Sequence, residues 1–459
     1  MEKGRHQIMP TSLPESNGPP KLRRALGLWD LVLYGLIVIQ PTAPMPVYGV
    51  MSVRSNGFAL LTVLLAMVAM LFTAISYGRM ASAYPSAGSA FTYVGREIHP
   101  ALGYITGWSM AMDYMLNPLI CTILCGKFAM NFFPEIPFAV WVVAFAVAFT
   151  LLNLQGIETS AHINSGLVAI MAVVILLFLA AAAHYVYVTP HDGIATFTRP
   201  FFNPKTFSLR SVMGGTSLAV LTYIGFDGIS TLSEEAKNPR RNIMLATVLV
   251  CLLTGLLASV EVYAAQLVWP GAQNFPDVDT AFVYVAGRAG GPWLFAVINV
   301  TLLVATFGSA LGAQLGAARL FYGMGRSGAL PKGFFGAIEP KRKIPRNNVL
   351  LIGAVALIGA MVLNFERGVE LLNFGALLAF MGVNIAALVR YYFREERKRW
   401  FNLASPILGF VICLALWLSL SWRAKLLGIG WMIVGLAYGA YNTRGFRREL
   451  MDFNSPDGD

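Results

Sequence analysis

Apolar stretches long enough to cross a bilayer recur along this chain, and that repetition leaves it few folds to adopt. A helix needs about 17 to 25 predominantly apolar residues to span the hydrocarbon core. Twelve such charge-poor stretches begin near Leu28, Phe58, Ala101, Pro137, Ile163, Val212, Ile243, Pro292, Val349, Leu371, Leu403 and Ala424. With 56% apolar and 12% charged residues over 459 positions, the composition lies far outside that of a soluble globular protein. The expected fold class is all-α integral membrane, with twelve transmembrane helices.

The net charge of +11 is distributed by loop. With the N-terminus inside, 25 of the 34 Lys and Arg residues fall on the cytoplasmic side. An even number of spans then predicts both termini in the cytoplasm, and short loops suit a multi-pass protein of a bacterial inner membrane. The basic loops read as orientation signals with some affinity for anionic membrane lipid, and not as a nucleic-acid surface. The polar stretch 1–24 is expected to be a disordered cytoplasmic tail with no cleavable signal peptide. Residues 25–445 would form the transmembrane domain, and 446–459 a second cytoplasmic tail.

Metal and catalytic chemistry are not indicated. Cys121, Cys125, Cys251 and Cys413 all lie in apolar spans and read as small hydrophobes. The five histidines, His6, His99, His162, His184 and His191, fall in the tail, loops or span ends without a ligand set or nucleophile around them. No phosphate-binding GxxxxGK[ST] loop is present, so ATP-driven transport has no support. The expectation is no enzyme, no cofactor and no metal.

Two spans are interrupted. In the first, IQPTAPMPVYG carries Pro41, Pro44 and Pro46 in the middle of the apolar stretch, and no continuous helix survives that. In the sixth, Gly214 and Gly215 precede Thr222, Tyr223, Ile224, Gly225, Phe226, Asp227 and Gly228. Open backbone at bilayer depth is tolerated only where it is buried in protein or lines a cavity. Two interrupted segments five spans apart point to an inverted-repeat secondary transporter with its site at the midplane. Repeat one would cover about 25–186 and repeat two about 210–393, with accessory helices over about 403–443.

Acidic residues inside spans cost roughly 2.5 to 3.5 kcal/mol each on insertion scales and need partners. Asp113 in span three, Asp227 at the sixth-span break and Glu261 in span seven are the three candidates. Either they are protonated or they meet a cation that comes and goes. The first-span break bears on which. Three of its six positions from Pro41 to Pro46 lack a backbone N–H, so it offers carbonyls more readily than donors. That suits an ammonium better than a carboxylate, and Tyr114, Tyr223 and Phe226 add aromatic faces for a cation.

Three separated motifs then resemble the amino acid–polyamine–organocation transporters. They are AISYGRMASAYPSAGSAFTYVGREIHPALGYITGW at 74–108, with Pro85, Gly88 and Tyr93; TYIGFDGISTLSEEAKNPRRNI at 222–243, with Glu234, Glu235, Asn238, Pro239 and Arg241; and ARLFYGMGRSGALPKGFFGAIEPKRKIPRNNV at 318–349. GWSMAMDYMLNP, GFDGISTLSEE and LLNFGALLAF are similar to the bacterial putrescine-importer-like permeases. The resemblance implies a leucine-transporter-type 5+5 inverted repeat with broken helices 1 and 6. It implies a substrate site of Gln40, Thr42, Ala43, Asp113, Tyr114, Thr222, Tyr223, Gly225, Phe226 and Asp227. Two positions depart from the pattern: Pro46 stands where putrescine importers carry an acid, and Met171 where several proton-coupled members carry a lysine. Asp227, Asp113 and Glu261 remain as proton-coupling candidates.

The expected function is alternating-access import of a small organic amine, a polyamine such as putrescine or an amino acid, driven by a coupling proton or a counter-substrate. A neutral amino-acid permease is the alternative within the same class. A transporter-like amine sensor that binds without turnover is the alternative from another.

Overall fold

The computed structural model describes residues 25–84, 89–156, 161–190, 192–233, 235–272, 274–326, 328–395 and 398–443. The tails expected at 1–24 and 446–459, and the motif residues Pro85, Gly88 and Glu234, lie outside the described residues. Among the described residues the chain is helical throughout, and its sole β-type pairing is an isolated bridge between Leu26 and Ala236.

The helices are α1 (Leu28–Ile39), α2 (Pro44–Arg54), α3 (Ala59–Ala83), α4 (Ser89–Glu97), α5 (Pro100–Met130), α6 (Phe138–Leu154), α7 (Ala161–Val188) and the short α8 (Ile194–Thr198). They continue with α9 (Leu209–Ala219), α10 (Pro239–Val268), α11 (Ala281–Arg326), α12 (Lys332–Phe335), α13 (Arg346–Val362), α14 (Phe365–Leu388), α15 (Trp400–Ser419) and α16 (Trp422–Asn442). Among the described residues, eight helical segments are long and apolar enough to cross a membrane, and nine if α1 and α2, bent by 57°, count as one span. Outward-facing leucine, isoleucine and valine on these helices, such as Leu176 at 66%, Ile358 at 65% and Val362 at 71% exposure, form a surface that lipid solvates and water does not.

The prolines act differently from the sequence-based expectation. The non-helical stretch covers only residues 40–43, and Pro44 and Pro46 belong to the first turn of α2. A first-turn N–H has no partner within its own helix, so proline is at home there. The helix opens at Gln40, whose φ of 69° ends α1. In the sixth span, α9 passes at Ala219 into a 3-10 turn over Val220–Tyr223, Ile224 is extended, and Gly225 has φ 120° before a second 3-10 turn, Phe226–Leu232. Helix α11 also contains a break, at Gly291 (φ 79°) directly before Pro292, so the residues before it form a separate short helix.

Packing places the two interruptions together. α3 and α10 lie side by side, with Gly78 against Met244 and Gly255 against Met67, where a missing side chain lets the helices approach closely. The chain before α1 joins the segment after the sixth-span break, with Leu26 N–H donating to Glu235 O (3.1 Å) and Lys237 N–H to Leu26 O (2.7 Å). On the same side, the fully buried Glu97 carboxylate accepts from Arg390 (2.6 Å), Arg394 (2.8 Å) and the Tyr84 hydroxyl (2.6 Å). Arg390 and Arg394 belong to a π-helical extension of α14 over Val389–Arg394. On the opposite side, Lys127 at the end of α5 pairs with Asp277 (2.9 Å) and Asp279 (3.4 Å) in the chain before α11.

Candidate functional site

The first-span break is donor-poor for a reason the fold makes explicit. Of the backbone groups entering α2, Pro44 and Pro46 carry no N–H, Ala43 N–H is spent on Gln40 O (3.1 Å) and Met45 N–H on Thr42 O (3.0 Å). A half-helix N-terminus normally offers such groups to an anion. Here they are absent or occupied. Gln40 donates through Nε2 to Ala305 O on α11 (3.1 Å), which ties the break to that helix. The buried Thr42 hydroxyl faces the Met171 sulfur of α7 at 3.8 Å. Met171 thus meets the break as a neutral thioether.

The sixth-span break sits directly on the first. A β-carbon placed on Gly225 would lie 3.1 Å from Val38 Cγ1 and 3.2 Å from Ile39 Cγ1. Asp227, at 6% exposure, lies with its carboxylate close to the backbone of Gly225 and Gly228 at the break. Electrostatic reach links Asp227 to Asp113 and Tyr114 on α5, Tyr34 on α1, Tyr77 on α3 and Tyr93 on α4. Among the described residues, no lysine, arginine or histidine pairs with Asp113 or Asp227. Two carboxyl groups thus face one region without a protein cation.

The aromatic residues divide. Phe226, fully buried, packs edge-on to Tyr77 (5.6 Å between centroids) and against Phe380 of α14 (5.3 Å). The Tyr223 hydroxyl donates to Val63 O on α3 (2.8 Å), so it holds the break to its scaffold. Tyr114 is half-buried next to Gly316 of α11, and the buried Thr222 hydroxyl has no hydrogen-bond partner among the described residues. Ala43 is half-buried at the turn into α2.

Glu261 stands apart. It is fully buried on α10, and neither carboxylate oxygen has a hydrogen-bond or ion-pair partner among the described residues. Asp113 and Asp227 form one neighbourhood, which Glu261 does not join. The sequence reading missed Tyr34 and Tyr77. Their signal was a phenol in an otherwise apolar span, whose hydroxyl needs a polar partner when buried.

Comparison with known proteins agrees with this architecture. The family model described as amino acid permease matches residues 29–445. The low-affinity putrescine importer PlaP of Escherichia coli (strain K12) is 35% identical over 446 residues, covering 94% of this chain and 96% of the importer. The branched-chain amino acid permease BcaP of Bacillus subtilis (strain 168) is 29% identical over 458 residues, covering 94% and 95% respectively. The methylthioribose transporter of the same organism is 27% identical, covering 92% of this chain and 94% of that protein.

Proposed function

Since the chain belongs to the amino acid permease family and is a multi-pass membrane transporter, we propose that it imports a small organic amine by alternating access, with a polyamine such as putrescine favoured over an amino acid. The observation that carries this reading is the pairing of a donor-poor break with two uncompensated carboxyl groups, Asp113 and Asp227. An ammonium supplies the missing cation and takes its remaining contacts from break carbonyls and the faces of Tyr77, Tyr114 and Phe226. A carboxylate would find neither a free first-turn N–H in α2 nor a positive side chain.

Twelve spans arranged as a 5+5 inverted repeat suit this function. In this reading the 31-residue α5 and the shorter apolar helices α6 and α13 would join the nine candidate spans to make twelve. The second spans of the two repeats, α3 and α10, pack together, and the first spans, α1–α2 and α9 with its 3-10 turns, meet at their breaks. Both termini then face the cytoplasm of a bacterial cell, as the loop charges require. Glu261, buried and unpaired, is the group available to carry a coupling proton while Asp227 holds substrate. Proton symport or exchange fits this division.

A second reading has its own support. BcaP, which is similar to this chain over nearly its whole length, is named a branched-chain amino acid permease. In that case the substrate is a neutral amino acid and the acids serve protons alone. Binding of putrescine to the purified wild-type protein and to Asp227→Asn separates the two. Loss of binding in the variant supports the amine site, and unchanged binding removes Asp227 from it.

A further inference from the structure

A cavity of about 330 Å³ opens where α6 ends and α13 begins, lined by Leu154, Glu339, Lys341, Arg342 and Arg346. Three basic side chains there face one acidic one. Arg342 donates to the Leu154 carbonyl (2.6 Å), which occupies an orphan acceptor at the α6 C-terminus and offsets the negative end of that helix. The Lys341 ammonium and the Arg346 guanidinium are exposed, and neither forms an ion pair or hydrogen bond with any described residue. At the same place α13 starts without a side-chain cap.

The apolar surface next to this cavity identifies its occupant. Leu151 lies three residues before Leu154 on α6 and is 53% exposed. Leu350 lies four residues after Arg346 on α13 and is 42% exposed. Spacings of three and four put each leucine on the same helix face as its cavity residue, one turn further into the apolar layer. A ligand that satisfies both parts needs a phosphate for the basic cluster and a hydrocarbon chain for the leucines. A free anion meets only the first.

We infer that this cavity is a binding site for the headgroup of an anionic phospholipid, with Lys341 and Arg346 holding the phosphodiester and Leu151 and Leu350 in contact with the acyl chains. The site joins the loop before α13 to the ends of two scaffold helices, away from the Asp113–Asp227 region, and it does not depend on which substrate is carried.

Native mass spectrometry of the purified full chain, titrated with phosphatidylglycerol, tests it. Lys341→Gln and Arg346→Gln are each expected to lower retained phosphatidylglycerol by about five-fold, while Lys341→Arg and the opposite-side control Arg367→Gln retain it. Phosphatidylcholine should bind weakly to all of them, and excess inorganic phosphate should fail to displace the lipid from the wild type. Equal retention by wild type and both glutamine variants would overturn the inference. So would displacement by inorganic phosphate, which would identify the ligand as a free anion, or loss of lipid in Lys341→Arg.

Discussion

Gly225 lies against Ile39, so close that a β-carbon on the glycine would stand 3.2 Å from Ile39 Cγ1, and through this contact the two interrupted spans seat on each other. The glycine's φ of 120° is one that side-chain-bearing residues rarely adopt. Gly225→Ala therefore meets both strain and crowding, with an expected cost of about 1–3 kcal/mol. Thermal unfolding in detergent should show the loss, and substrate uptake should fall with it. Wild-type stability and uptake together would show that the breaks do not depend on this contact.

Asp227 and Tyr223 are four residues apart and are expected to behave differently. Asp227→Asn removes a carboxylate from the proposed amine site and should lower amine uptake by at least about ten-fold, the scale of a charge-assisted contact. Tyr223→Phe loses only the hydroxyl that donates to Val63 O, at a cost of about 1 kcal/mol of stability. Its selectivity should match the wild type. Competition assays on both variants check the contrast.

Donor count at α2 should set charge preference. Replacing Pro44 and Pro46 with alanine restores two first-turn N–H groups at the head of the half-helix. The double variant is expected to bind amino acids, which bear a carboxylate, more tightly relative to diamines. Isothermal titration with putrescine and with a neutral amino acid measures the shift, and an unchanged ratio would count against the donor argument.

Glu97 holds two arginines from a position with no solvent exposure of its side chain. Removing one member of a buried pair costs about 3–5 kcal/mol, less here because Arg390 and Arg394 are themselves 33% and 56% exposed. Glu97→Gln should lower the unfolding temperature and loosen α4 from the end of α14. Faster hydrogen exchange in residues 89–97 would register that loosening, and exchange at the wild-type rate would contradict it.

Glu261→Gln separates coupling from binding. In proteoliposomes, the proposed proton coupling predicts that acidifying the outside raises wild-type uptake. The variant should lose this stimulation yet still exchange internal for external substrate. A variant with a full response to the proton gradient would exclude Glu261 as the carrier.

Much of the architecture was legible because membrane helices write their length and their breaks into composition. The interruption at residues 40–43 followed from three prolines, although only Pro41 lies in the open stretch while Pro44 and Pro46 start the next helix. A proline's effect depends on its place in a helix, which the sequence alone does not reveal. The proximity of Asp113 and Asp227 was expected from the resemblance, whereas the separation of Glu261 depends on how α10 is rotated against its neighbours. Tyr77 escaped notice because hydropathy patterns show which stretches enter the membrane and not which face turns inward. The role of Tyr223 was hidden likewise, since its partner is a backbone carbonyl 160 residues away.

Uptake of labelled putrescine into proteoliposomes, in competition with a panel of diamines and neutral amino acids, tests the central claim most directly. The account predicts saturable uptake that unlabelled diamines suppress and neutral amino acids leave largely intact. Strong suppression by neutral amino acids with none by diamines would contradict it.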